Sequence, residues 1–143
     1  RGLGDGYKGQ IEASIVKSLN LGYNTFICGM ARGFDLLAAN TLLEVQEQNE
    51  QFKNIRLISL LPYMNHKYKG SWGNIHKMMT TCSDQIIIMS TGYTMNCYKL
   101  RNQFMVDNSS YMMCYWDGKE RGTAQTISLA KQSGLHIDNI LNK

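Results

Sequence analysis

The chain has 143 residues, 43% hydrophobic and 18% charged, which suits one globular domain with a real core and excludes a disordered segment. A net charge of +4 and a pI near 8.9, without any block of like charges, give weak attraction to anions and no basic nucleic-acid arm. No apolar run approaches the ~20 residues that span a bilayer, so no membrane partner is expected.

Ile11, Ala13, Ile15, Val16 and Leu19 recur at helical spacing, and Gly22 is placed to end that helix. Residues 24–28 read as a buried strand and 35–49 as a second helix, with Leu36, Leu37, Ala39, Leu43 and Val45 among its apolar positions. Residues 55–61 form the next strand, closed by Pro62, the single proline. The stretch 63–73 has no clear period, and 75–81 suits a short helix. Three consecutive isoleucines in 85–90 predict a fully buried strand, followed by a turn at Thr91 and Gly92. A helix over 98–107, a strand over 111–115, a turn at Asp117-Gly118, a helix over 123–132 ended by Gly134, and a short strand over 136–140 complete the chain. No linker, repeat or low-complexity tract divides it. The alternation predicts an α/β single domain: one mainly parallel sheet with helices on both faces.

The alternation has a defect at its front, where a helix comes first. Either a first strand is missing, or the first helix packs without one. The chain also opens on Arg1 and not on methionine, so residues are expected to be missing upstream.

Two segments carry the chemistry. Residues 25–35, Thr-Phe-Ile-Cys-Gly-Met-Ala-Arg-Gly-Phe-Asp, read as a strand, a tight glycine turn and a helix start. Glycines at 29 and 33 allow unusual backbone conformations and close approach of a ligand. The helix that follows turns unpaired N–H groups and its positive dipole end toward the turn, which suits a phosphate. A plain strand-to-helix connection would use the same glycines. Gly122 and Thr123 repeat this logic after the strand at 111–115, although Thr123 also suits a simple helix cap. In an open α/β sheet both turns lie at the carboxyl ends of their strands, where ligands bind.

Gly-Met-Ala-Arg-Gly-Phe-Asp-Leu-Leu-Ala-Ala at 29–39 resembles the signature of the SLOG superfamily, the Rossmann-like group named after DprA (SMF) and the LOG cytokinin-activating enzymes. The closer likeness is to its YpsA-like branch. Leu60-Leu61-Pro62-Tyr63, the segment from Arg101-Asn102 to Asp107, and Gly122-Thr123 with the helix to Ala130 resemble further parts of that branch, in order along nearly the whole chain. The family usually starts with a strand ending in Thr-Gly-His-Arg. Arg1 matches the last residue of that motif, so the chain is expected to lack the first strand. Arg1 would then lie at the pocket edge beside the 29–33 turn, with a gap or an exposed edge in the sheet.

The resemblance implies a Rossmann-like pocket for a phosphate-bearing nucleotide or nucleotide-derived ligand, in a cytoplasmic protein of bacterial or mobile-element origin. Gly29, Met30, Ala31, Arg32, Gly33, Asp35, Arg101, Asn102, Gly122 and Thr123 are the candidate ligand-binding residues. A guanidinium binds phosphate through two parallel hydrogen bonds, which singles out Arg32 and Arg101. Each would otherwise be a solvated charge. Asn102 would read a ribose or base edge, or cap a backbone group.

Hydrolysis of an N-glycosidic bond needs a carboxylate beside the ribose. LOG-type enzymes carry a glutamate just after the Gly-Thr turn, where this chain has Ala124, Gln125 and Thr126. Asp35 and Glu120 are the remaining candidate acids, and Asp35 also suits a helix cap. Binding or sensing therefore ranks above a phosphoribohydrolase. A DprA-like contact with single-stranded nucleic acid ranks lower too. It would use Tyr63, Lys67, Tyr68, Lys69 and Trp72, residues that equally suit a lid over a base or a packed surface loop. His66 and His76 read as surface residues. No cofactor is required and self-association stays open. The cysteines at 28, 82, 97 and 114 form no Cys-x-x-Cys pair and have no histidine at ligand spacing, which argues against a metal site and for a reducing cytoplasm.

Overall fold

In the computed structural model, which describes residues 5–119 and 122–142, helix α1 spans Lys8–Asn20 and buries Ile11, Ile15 and Leu19. It stops because Gly22, at φ 102, takes the left-handed conformation. The Gly22 N–H then donates to Leu19 O at 3.0 Å and the Tyr23 N–H to Ser18 O at 3.2 Å. Strand β1 (Thr25–Cys28) leads through the first glycine turn into α2 (Phe34–Gln48). Strand β2 (Arg56–Leu61), α3 (Gly70–Cys82), β3 (Gln85–Ile88), α4 (Cys97–Asp107), β4 (Tyr111–Cys114), α5 (Gly122–Gln132) and β5 (His136–Asn139) follow.

Every strand pairing is parallel, as expected of alternating strands and helices. Strand β2 lies between β1 and β3, with Ile27 opposite Ile58 and Leu60 opposite Ile87. Its alternating residues serve two cores. Leu57 and Leu61 join the main cluster with Ile15 of α1, Leu36 and Leu42 of α2 and Met79 of α3. Ile58 and Leu60 are buried on the opposite side. Each such side chain stabilises the fold by about 1.5–3 kcal/mol. Helix α1 packs on α2 and α2 on α3, while α4 packs on α5.

Three expectations need correction. The strands do not form one sheet: β4 pairs only with β5, so a three-stranded and a two-stranded sheet stand apart. Among the described residues no strand lies between β1 and β4, which is the gap expected from the helix-first order. Strand β3 is not fully buried. It is the outer strand of its sheet, and Ile86 and Ile88 remain 48% and 40% exposed. Helix α3 starts at Gly70 instead of near 75. Gly73 hides the helical pattern, yet it is required there, because a Cβ would sit 2.2 Å from the Tyr68 carbonyl oxygen.

Candidate functional site

The first glycine turn is shaped by several constraints at once. Met30 takes φ 56, rare for a side-chain-bearing residue, and is held there because its side chain is wholly buried in the core. Gly33 takes φ 98 and its carbonyl receives the Leu37 N–H at 3.1 Å. Asp35 does not cap its own helix by a side-chain bond. Its carboxylate accepts the Ala31 N–H at 3.3 Å and so ties the turn to the start of α2. Gly29 is tightly enclosed: a Cβ would lie 3.1 Å from the Asp35 carboxylate and 3.2 Å from the Arg101 guanidinium, closer than nearly all ordinary Cβ contacts.

Arg101 comes from α4 and is buried, at 8% exposure. Its Nη1 donates to the Gly29 carbonyl at 3.0 Å, and Nε and Nη2 both donate to Asn102 Oδ1 at 3.2 Å. The Tyr98 ring lies 5.3 Å away. Burial pushes the Asp35 carboxyl above its usual range, against the opposing pull of Arg101 and the Ala31 N–H. Burial also drives the Cys28 thiol upward, with Asp35 adding to the shift, so the thiol stays protonated. It donates to the Asp35 carbonyl and accepts the Met30 N–H. Arg32 is exposed; its backbone N–H donates to the Tyr68 hydroxyl at 3.2 Å and its guanidinium lies 5.9 Å from that ring.

The second turn follows β4. Asn139 of β5 accepts the Trp116 N–H at 3.1 Å and donates its amide to the Trp116 carbonyl at 2.9 Å. The Trp116 indole donates to Lys119 O, and the Lys119 N–H to Asp117 Oδ1. Gly118 takes φ 90 within this turn. Helix α5 begins at Gly122, whose carbonyl receives the Thr126 hydroxyl.

Both turns open on one cavity of about 860 Å³. Of the residues singled out in the sequence, Gly29, Ala31, Arg32, Asp35, Arg101, Asn102, Gly122 and Thr123 line it, as does Gln125. Met30 and Gly33 do not; they shape the turn from behind. Asp35 is the one carboxylate among the described lining residues. Arg1 and Glu120 lie outside the described residues. Among those described, no cluster of three or more His, Cys, Asp or Glu could hold a metal, and no helix is long and apolar enough to cross a membrane.

His66 and His76 are not surface residues: both are buried, and their rings share a hydrogen bond at 3.1 Å. Burial lowers the pKa of His66 to about 4, helped by His76 and Arg101, and lowers that of His76 too, so the pair is neutral at pH 7. Tyr63, Tyr68 and Tyr98 surround His66 edge-on. Tyr68 and Trp72 also pack on the core, so the loop aromatics are engaged within the protein. Asp138 was not foreseen either. It accepts hydrogen bonds from Ser14 of α1 and from the Tyr111 hydroxyl, whose pKa burial and Asp138 raise to about 12. A lone aspartate in a short terminal strand gave no sequence signal for this.

A model of the YspA SLOG family matches residues 6–136. No curated protein matches the chain.

Proposed function

The chain belongs to the YspA SLOG family, and from that premise we propose that it binds a phosphate-bearing nucleotide or nucleotide-derived ligand between the turns at 29–33 and 122–123. One observation carries this reading: two glycine turns that each open a helix, together with a buried arginine, line the same cavity. The first turns of α2 and α5 have backbone N–H groups without intrahelical partners, and their dipole ends favour an anion. Arg32 is the exposed cation of the site. Arg101 uses three of its five N–H donors within the protein, so its charge is fixed in position before a ligand arrives. Asn102 uses its carbonyl oxygen on Arg101 and keeps its amide donors for a ribose or base edge.

A charge-assisted contact contributes about 1.5–3 kcal/mol, so Arg32→Ala weakens binding by about tenfold or more. Calorimetry with nucleoside mono- and diphosphates tests this. No binding by any nucleotide, or an unchanged affinity in the variant, overturns the reading.

The alternative is N-glycosidic hydrolysis. Asp35 would have to act as its acid or base, yet that carboxyl is buried and holds the Ala31 N–H. Gln125 is a neutral amide that takes no proton at pH 7. We expect no release of free base from nucleoside monophosphates by chromatography. Sustained turnover that Asp35→Asn abolishes would establish the enzyme instead.

A further inference from the structure

The outer edge of the three-stranded sheet is unlike the rest of the surface. Strand β3 is laddered to β2 on one side and, among the described residues, to no strand on the other. The Met89 N–H donates to Leu61 O at 3.0 Å. Alternate residues of a parallel ladder turn their backbone groups to opposite sides. Gln85 and Ile87 therefore face β2 together with Met89, and Ile86 and Ile88 turn their N–H and C=O outward. The bond from the Arg56 N–H to Asn24 O fixes the same alternation from the far side of β2.

Proteins usually guard such an edge with lysine, proline or a bulge. Strand β3, Gln-Ile-Ile-Ile, carries no charge and no proline. The charge just before it, Asp84, is engaged with β2, where its carboxylate accepts the Leu57 N–H at 2.8 Å.

The surface around the edge is apolar and nearly uncharged. Of the ten large apolar side chains that stay exposed among the described residues, eight come from residues 64–100. Besides Ile86 and Ile88 they include Met78 of α3, Tyr93 and Met95 of the loop that leaves β3, and Leu100 of α4. From 78 to 98 the chain carries one charged residue, Asp84, although nearly one in five is charged overall. The centres of protein interfaces have this composition, enriched in aromatic residues and methionine and depleted of charge. The eight exposures together equal more than four whole side chains. At about 150–250 Å² each they offer about 600–1,000 Å², against ~800 Å² per partner in a standard interface.

We propose that this edge is a homodimer interface, in which β3 pairs antiparallel with β3 of a second copy across a two-fold axis. A two-fold contact is isologous, so one edge serves both partners. The outward-facing residues set its register. Ile86 of one copy and Ile88 of the other exchange both backbone hydrogen bonds, at two symmetric places, and Ile87 meets Ile87 on the axis. The uncharged centre also lets two copies of net charge +4 meet without opposing like charges there. An acidic or basic partner would find no charge to pair with at that centre. The dimer does not depend on nucleotide binding.

Light scattering and sedimentation of the purified protein over a concentration series test this. We expect a monomer–dimer equilibrium, with exchange of the Ile86 and Ile88 amides slowing as the dimer forms. Ile88→Pro removes an outward donor and spares the β2 ladder. It should weaken the dimer by about tenfold or more with unchanged circular dichroism. Ile86→Lys puts a charge on the edge and should act likewise. Ile87→Cys reads the register, in a Cys82→Ser background that removes the exposed cysteine. Opposed residues of this kind have Cα atoms about 4.5 Å apart, within disulfide range. Mild oxidation should therefore give a covalent dimer. Gln85→Cys is the control: its two copies stand about 13 Å apart along the strands and should not cross-link. A monomer at every concentration, a dimer untouched by both edge variants, or equal cross-linking at 85 and 87 overturns the proposal. So does growth beyond a dimer, which marks an open-ended contact.

Discussion

The turn at 29–33 and the turn at 116–122 both carry a strand into a helix beside the same cavity, yet they are held by different means. The first is gripped by distant parts of the chain: Arg101 lies 72 residues from Gly29, and Tyr68 lies 36 from Arg32. It also contains a left-handed methionine and a glycine tightly enclosed by the Asp35 and Arg101 side chains. Among the described residues, the second carries local bonds among Asp117, Trp116 and Lys119, and its Trp116 backbone bonds to Asn139 on the neighbouring strand. Long-range clamps fix position before a ligand arrives, whereas local bonds fix only the shape of the turn itself.

The largest blow to that asymmetry is Arg101→Ala. It removes the Gly29 clamp and leaves a buried carbonyl unpaired, so a loss of about 3–5 kcal/mol in urea unfolding is expected. A loss under about 1 kcal/mol would mean that the clamp is decorative.

Acid comes next. His66 titrates at about 4 in the fold and near 6.5 when unfolded. Between those values the unfolded chain binds more protons, so stability falls as pH falls through that window. The difference corresponds to about 3 kcal/mol by pH 4. Thermal melts from pH 7 to pH 4 measure it, and His66→Gln should flatten the dependence.

Gly29→Ala pushes a methyl group against Asp35 and Arg101 and should cost about 1–3 kcal/mol, read by the same unfolding curves. Trp116→Phe removes only the indole bond to Lys119 O. A change of about 1 kcal/mol or less is expected, with the first turn's amide exchange unaltered. If Trp116→Phe hurts more than Gly29→Ala, the ranking of the two turns is reversed.

Much of this was legible in the sequence. The order of strands and helices followed from apolar periods and glycine stops, and the helix-first order foreshadowed the split sheet. Both glycine turns were visible because strand, glycine and helix start follow one another within a few residues. What escaped notice depends on tertiary placement. Three isoleucines look buried until β3 turns out to be an outer strand. Two histidines separated by ten residues show no pattern, yet they share one hydrogen bond in the core. Arg101 was visible as a cation, but its hold on Gly29 was not, since that contact spans half the chain.

The short register between Tyr23 and Tyr111, with Ser14 on Asp138, has a consequence for how the molecule comes apart. Side chains, and not a backbone ladder, form the seam between the two sheets. The hydrophobic core nevertheless runs across that seam: Ile140 belongs to the same cluster as Ile15, Leu36 and Leu57, and Met113 and Tyr115 pack against it. The two sheets are therefore coupled through side-chain packing, and amide exchange is expected to be slowest in β2, which is laddered on both sides.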